Sequence, residues 1–216
     1  MARESAPALA RRVQAVIDRL RTAYPDAHCE LLFSNPLELL VATILSAQCS
    51  DKQVNLVTRD LFRKYRSASD FANAPLPELE HDIRRIGLFR TKARNIQATC
   101  RTLVAQHGGE VPRSLDELVT LAGVGRKTAN VVLGTAFGLT SGIVVDTHVA
   151  RLSRRLGFTR ETLPERIEKA LGKVVPRECW TLFSHWLIWH GRRRCAARNP
   201  DCAHCETRDL CPSATP

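Results

Sequence analysis

The stretch Leu121-Ala122-Gly123-Val124-Gly125-Arg126-Lys127-Thr128-Ala129-Asn130 constrains this chain more than any other. Ahead of it, Leu115, Leu118, Val119 and Leu121 fall on one helical face, and beyond it Ala129, Val132, Leu133, Ala136 and Phe137 do the same. The spacing predicts two helices, 114–121 and 126–137, that meet at Gly-Val-Gly. Glycine admits positive φ and the close approach of another backbone, and the second helix opens with unpaired N–H groups carrying partial positive charge. Such a corner can hold a phosphate, although a plain joint between helices also uses glycine. Arg126 and Lys127 at its mouth favour the anion, with a nucleic-acid backbone as its source.

No segment shows the alternation of a strand, so the chain reads as all-α. Periodicity and caps place further helices at 3–24, 37–47, about 51–65, 67–73, 77–85, 91–107, 146–157, 163–174 and 177–189, with Asn35-Pro36 opening the second of these. Ile86-Gly87-Leu88-Phe89-Arg90-Thr91-Lys92-Ala93 repeats the glycine corner and basic helix start in weaker form, and reads as a structural echo without chemistry of its own. Gly134-x-x-x-Gly138 reads as close helix packing. With 216 residues, 44% of them hydrophobic, the chain can bury one core or two small ones, which argues against disorder. The longest apolar stretch, Val131 to Val145, is interrupted and too short to span a bilayer. A net charge of +10 draws in polyanions, nucleic acid ahead of an acidic membrane face.

Of eight cysteines, Cys29, Cys49, Cys100 and Cys179 are scattered through helical patterns. The other four form Cys195-x6-Cys202-x2-Cys205-x5-Cys211. With no signal-like segment at the start, this usage points to a reducing compartment, the cytoplasm, and to a metal centre. The Arg- and Ala-rich start has the look of an organelle transit peptide, but Glu4 and Asp18 argue for an ordinary terminal helix. Four thiolates suit either a tetrahedral zinc or an iron–sulfur cubane, and one C-x2-C knuckle with two wide spacings favours the larger group. Arg192, Arg193, Arg194 and Arg198 lie in and beside that loop and read as a basic face or as a solvated run.

Taken together, Leu-x-Gly-Val-Gly-x-Lys-Thr-Ala and the cysteine spacing resemble the endonuclease III family of helix-hairpin-helix DNA glycosylases. The likeness runs from about Asn35 through Cys211. Ala122 stands where the family commonly has proline, and Cys49-Ser50 where it has Ala-Thr. The resemblance implies a six-helix barrel-like domain with the hairpin, roughly 30–138, and an iron–sulfur helical domain of 1–29 plus 139–216, with DNA in the groove between them. It implies a [4Fe–4S] cluster on Cys195, Cys202, Cys205 and Cys211, and a monomer that works on duplex DNA at the nucleoid.

In the activity so implied, oxidised pyrimidines such as thymine glycol are excised and the strand is then cut at the abasic site by β-elimination, without magnesium. Lys127 is the nucleophile at C1′. An ordinary lysine is protonated near neutrality, so the expectation is that the positive end of its helix, together with partial burial, disfavours the ammonium. Asp146, in the apolar run Val144-Val145-Asp146-Thr147-His148-Val149, matches the family's catalytic aspartate. It would stabilise positive charge developing on the sugar, and it also suits a helix N-cap. Extrusion of the nucleotide leaves a hole in the duplex. By resemblance Gln48 fills it and Leu88 wedges beside it, though Leu88 also suits core packing. Gly123, Val124, Gly125 and Arg126 would hold the DNA backbone, His148 would line the pocket, and Arg192, Arg193 and Arg194 would face DNA. The other readings are a thymine or adenine mismatch glycosylase of the same superfamily and a non-catalytic DNA-binding or redox-sensing module.

Overall fold

The computed structural model describes residues 4–215. Arg3, assigned above to the first helix, lies outside them. Eleven α-helices and two 3-10 turns make up the chain, with no strand among the described residues, so the all-α expectation holds. No helix of the described residues is long and apolar enough to cross a membrane. The chain divides into two compact units, Cys29–Ser141 and a discontinuous one of Met1–His28 with Gly142–Pro216.

The continuous unit is built on α2 (Pro36–Ser46), in which every residue from Leu39 to Leu45 is buried. A helix apolar on all sides must be a core helix. It packs against α3 (Asp51–Lys64), α6 (Phe89–His107) and α8 (Arg126–Ala136), while the short α4 (Ala68–Asn73) and α5 (Leu76–Asp82) close over α6. Side-chain caps set the boundaries: Asn35 receives the Glu38 N–H with Pro36 behind it, Ser50 receives that of Gln53, and Ser67 with Asp70 forms a capping box.

Two sequence-based boundaries shift for local reasons, and one expected packing contact does not form. The helix expected over 114–121 is a single turn, α7 (Leu115–Leu118). Thr120 and Leu121 donate instead to carbonyls three residues back, which tightens the chain toward the glycine corner. Helix α6 starts at Phe89, two residues early, because Leu88 itself takes the left-handed turn that precedes it. Gly138 serves no packing: it lies past the end of α8 at φ +65°, where an added β-carbon would meet nothing within 4 Å.

The discontinuous unit joins α1 (Ala6–Ala23) to α9 (Thr147–Arg155), α10 (Pro164–Leu171) and α11 (Trp180–Arg193). Val13, Val16, Ile17 and Leu20 form the buried stripe of α1, at the spacing of one helix face. They meet Val149 and Leu152 of α9 and Phe183, Trp186 and Leu187 of α11 in one core. Helix α11 continues past Trp189 through Gly191. Only glycine fits there, since a β-carbon on Gly191 would stand 2.8 Å from His148 Nδ1 and 3.0 Å from the Arg151 guanidinium.

Candidate functional site

In the continuous unit the Gly-Val-Gly corner forms as expected. Gly123 has φ +74°, and a β-carbon there would lie 2.7 Å from Asn95 Nδ2 of α6. Only glycine meets both conditions. The Thr99 hydroxyl, also on α6, donates to Ala122 O at 2.8 Å. Val124 turns its side chain into the core beside Leu121, so this residue offers a ligand its main chain alone. Gly125 is the N-cap of α8 and no side chain caps the helix, which leaves the first turn turned toward solvent. Arg126 and Lys127 occupy that turn and are exposed. The partial burial expected of Lys127 is therefore absent.

The echo of this corner carries more than its sequence promised. Leu88 is left-handed at φ 58° and 61% exposed, so it is not a core leucine. Gln48, also exposed, is left-handed at φ 55°. A β-carbon on Gly87 would lie 4.0 Å from Gln48 O, so the structure brings these two residues to one place. Non-glycine residues at positive φ cost roughly 1–2 kcal/mol each, which the surrounding structure must offset. The neighbouring Lys92 is buried, a placement that the sequence reading missed.

In the discontinuous unit Asp146 caps α9, with Oδ1 accepting the Val149 N–H at 2.8 Å. The carboxylate is half-buried and its second oxygen is not used by this cap. His148, half-buried two residues on, takes a 3.2 Å contact at Nδ1 from the Arg151 guanidinium. Burial pushes its pKa below the ordinary histidine value, opposed by the nearby Asp146 charge. The ring is thus neutral near pH 7, the form in which Nδ1 can accept from Arg151.

The same helix fastens the cysteine loop. Arg151 donates to Gly191 O at 3.0 Å and Cys195 O at 2.9 Å. One turn later Arg155 donates to Cys195 Sγ at 3.2 Å and to the carbonyls of Ala196 and Ala197 at 2.7 and 2.8 Å. The i,i+4 spacing of these arginines was the available signal for their shared task. His190 Nε2 lies 3.5 Å from Cys205 Sγ, and the Tyr24 hydroxyl lies 3.0 Å from His190 Nδ1. No disulfide joins any of the eight cysteines. Burial raises the Cys211 thiol, the Ser213 main chain lowers it, and Cys205, Cys195 and Cys202 raise it further. Four free thiols gathered in one loop, with N–H donors aimed at sulfur, fit a metal group held by thiolates.

Arg194, expected to face DNA, is committed within this loop. Its guanidinium pairs with Asp201 at 2.7 Å and Glu206 at 3.1 Å. Arg193 stacks over the Trp189 ring, its guanidinium carbon 3.7 Å from the centroid, and Arg192 is exposed on the last turn of α11.

Residues 41–177 match the model of the HhH-GPD superfamily of base excision DNA repair proteins. The chain belongs to this superfamily. Among curated HhH-GPD relatives, the endonuclease III of Synechocystis is 51% identical over 94% of this chain and 93% of its own length. That of Bacillus subtilis is 49% identical over 93% and 92%. A solved structure of a trapped covalent endonuclease III–DNA intermediate superimposes with a TM-score of 0.90 at 50% identity, covering 95% of this chain and 96% of that one. The expectations of a helix-hairpin-helix base excision glycosylase, and of an enzyme, hold.

Proposed function

We propose that this HhH-GPD chain excises oxidised pyrimidines from duplex DNA and cleaves the resulting abasic site through a Schiff base on Lys127. The observation that carries the reading is an exposed primary amine in the first turn of α8, directly behind the left-handed Gly123 corner. The main-chain N–H groups at the mouth of α8 and the Arg126 charge would hold the DNA backbone, and this would bring Lys127 to a sugar. The extruded nucleotide would then cover the amine and supply the desolvation that the protein alone does not.

Asp146 is assigned to support base loss, its carboxylate fixed by the α9 cap against charge developing on the sugar. As the base leaves with the bonding pair and takes up a proton, Lys127 Nζ bonds to C1′; the C1′–O4′ bond then opens, O4′ takes the proton that Nζ loses, and the imine forms. Loss of a C2′ proton then expels the 3′ phosphate. Gln48 and Leu88 are assigned to the vacated stack, and His148 to the pocket beside Asp146. Arg192 and Arg193 stay as DNA contacts of the cluster side, without Arg194.

Cys195, Cys202, Cys205 and Cys211 would hold a [4Fe–4S] cluster. Such a group supplies a rigid cross-link to a loop that four thiols and Arg151 and Arg155 already gather. An absorbance scan separates it from zinc: a brown protein supports the cubane, and a colourless one with stoichiometric zinc overturns it.

The deciding experiment is borohydride trapping on duplexes carrying thymine glycol, a thymine or adenine mismatch, or no lesion. A covalent complex on thymine glycol that vanishes in Lys127→Ala is the expected result. Complex on a mismatch alone would move the substrate class, and DNA binding with no complex anywhere would leave a binder. Asp146→Asn is expected to bind DNA normally and slow excision by about 100-fold or more; an unchanged rate removes Asp146 from the chemistry.

A further inference from the structure

The second corner holds a buried charge to which the reading above gives no task. Lys92, in the first turn of α6, is 4% exposed. Its ammonium donates to Leu45 O at 2.8 Å and to Ala47 O at 2.6 Å, while its main-chain N–H donates to Leu88 O at 3.0 Å. Those carbonyls belong to the last turn and the end of α2, where helical partners run out. Burial lowers its pKa, opposed by the nearby Cys49.

From the first turn of α6, the helix that Leu88 caps, the Lys92 side chain therefore grips the turn leading directly into Gln48, while its N–H makes the opening bond of the helix as any residue there would. Gln48 and Leu88 are both left-handed and exposed, and Gly87 brings their backbones together. A residue that only filled this space would be better as methionine or leucine, since a buried unpaired cation is costly. An ammonium does what an apolar plug cannot, because its N–H bonds fix where the carbonyls point.

We propose that Lys92 is a positioning residue that locks the Gln48 corner to the Leu88 corner and so sets the spacing of the two side chains that replace an extruded nucleotide. This rests on the reading that Gln48 and Leu88 enter the duplex.

The test compares loaded wild-type enzyme with Lys92→Met, Leu88→Ala and the double variant. Three quantities are read: single-turnover excision from duplex thymine glycol, cleavage of an abasic site in single-stranded DNA, where no stack is vacated, and thermal unfolding. Lys92→Met is expected to unfold no lower than wild type and to slow the duplex reaction about 10- to 100-fold while leaving the single-strand reaction within about twofold. The double variant is expected to be no slower than the slower single variant, because both act through one corner. Equal slowing on both DNAs, or losses that multiply in the double variant, would overturn the proposal. Wild-type duplex excision by Leu88→Ala would instead overturn the hole-filling reading and the proposal with it. If Lys92→Met does not fold, Lys92→Arg takes its place: it keeps the charge and donors but displaces the carbonyls, so the duplex reaction alone should slow, and equal slowing of both again sinks the idea.

Discussion

The two corners of the continuous unit make the same joint by opposite means. At Gly123 the left-handed residue is a glycine, braced by Asn95 and Thr99, and the helix beyond begins with exposed basic residues. At Leu88 the left-handed residue is a leucine with an adjacent glycine that is not left-handed, and of the two basic residues that follow, Arg90 is exposed while Lys92 is buried beneath the corner. The first corner is relaxed and leaves its amine exposed. The second stores strain and turns its amine onto the carbonyls at the end of α2. A motif can therefore recur in sequence and be put to unlike uses, with the position of one glycine deciding which.

The largest effect should come from taking the amine from the relaxed corner. Lys127→Ala should abolish the trapped complex and lower abasic-site cleavage by about 10³-fold or more, with the melting temperature unchanged; residual trapping would send the search to another amine. Next, Gly123→Ala should destabilise by about 1–3 kcal/mol in urea, because it meets both Asn95 and a forbidden φ, whereas Gly87→Ala should change stability by less than about 1 kcal/mol. Equal losses would erase the contrast between the corners. Leu88→Asn should raise stability by up to about 1 kcal/mol, since asparagine tolerates the left-handed region and little packing is lost, while it slows duplex excision. A less stable variant would mean that Leu88 is held by packing. The smallest effect concerns pH. Burial lowers the Lys92 pKa from 10.5, so unfolding takes up a proton between the lowered value and 10.5, and wild-type stability rises with pH across that window. Any stability advantage of Lys92→Met near neutrality should shrink there, and a constant gap would show that Lys92 does not titrate.

The helices and the first corner were legible in the sequence because their signals are local. Asn35 and Asp146 both cap the helices they appeared to cap, and Gly-Val-Gly gave its turn. What escaped depended on other segments. The sequence shows Gly87 beside Leu88 and invites the assumption that glycine takes the strained conformation. A lysine in a basic helix start reads as surface, and nothing local announces that Lys92 lies under the end of α2. Arg194 looked like one of a solvated run until Asp201 and Glu206 folded back onto it. Lys127 failed its expected burial for a related reason: burial belongs to the assembled neighbourhood, and here the neighbourhood is open.

Helix α9 has a further consequence. Its nine residues follow directly on the Asp146 cap and, through Arg151 and Arg155, also fasten the cysteine loop. Over such a short rigid rod the two duties are mechanically one. A change that re-sculpts the loop through these arginines shifts the rod and so re-aims the Asp146 carboxylate, which makes the two regions heirs to each other's variation.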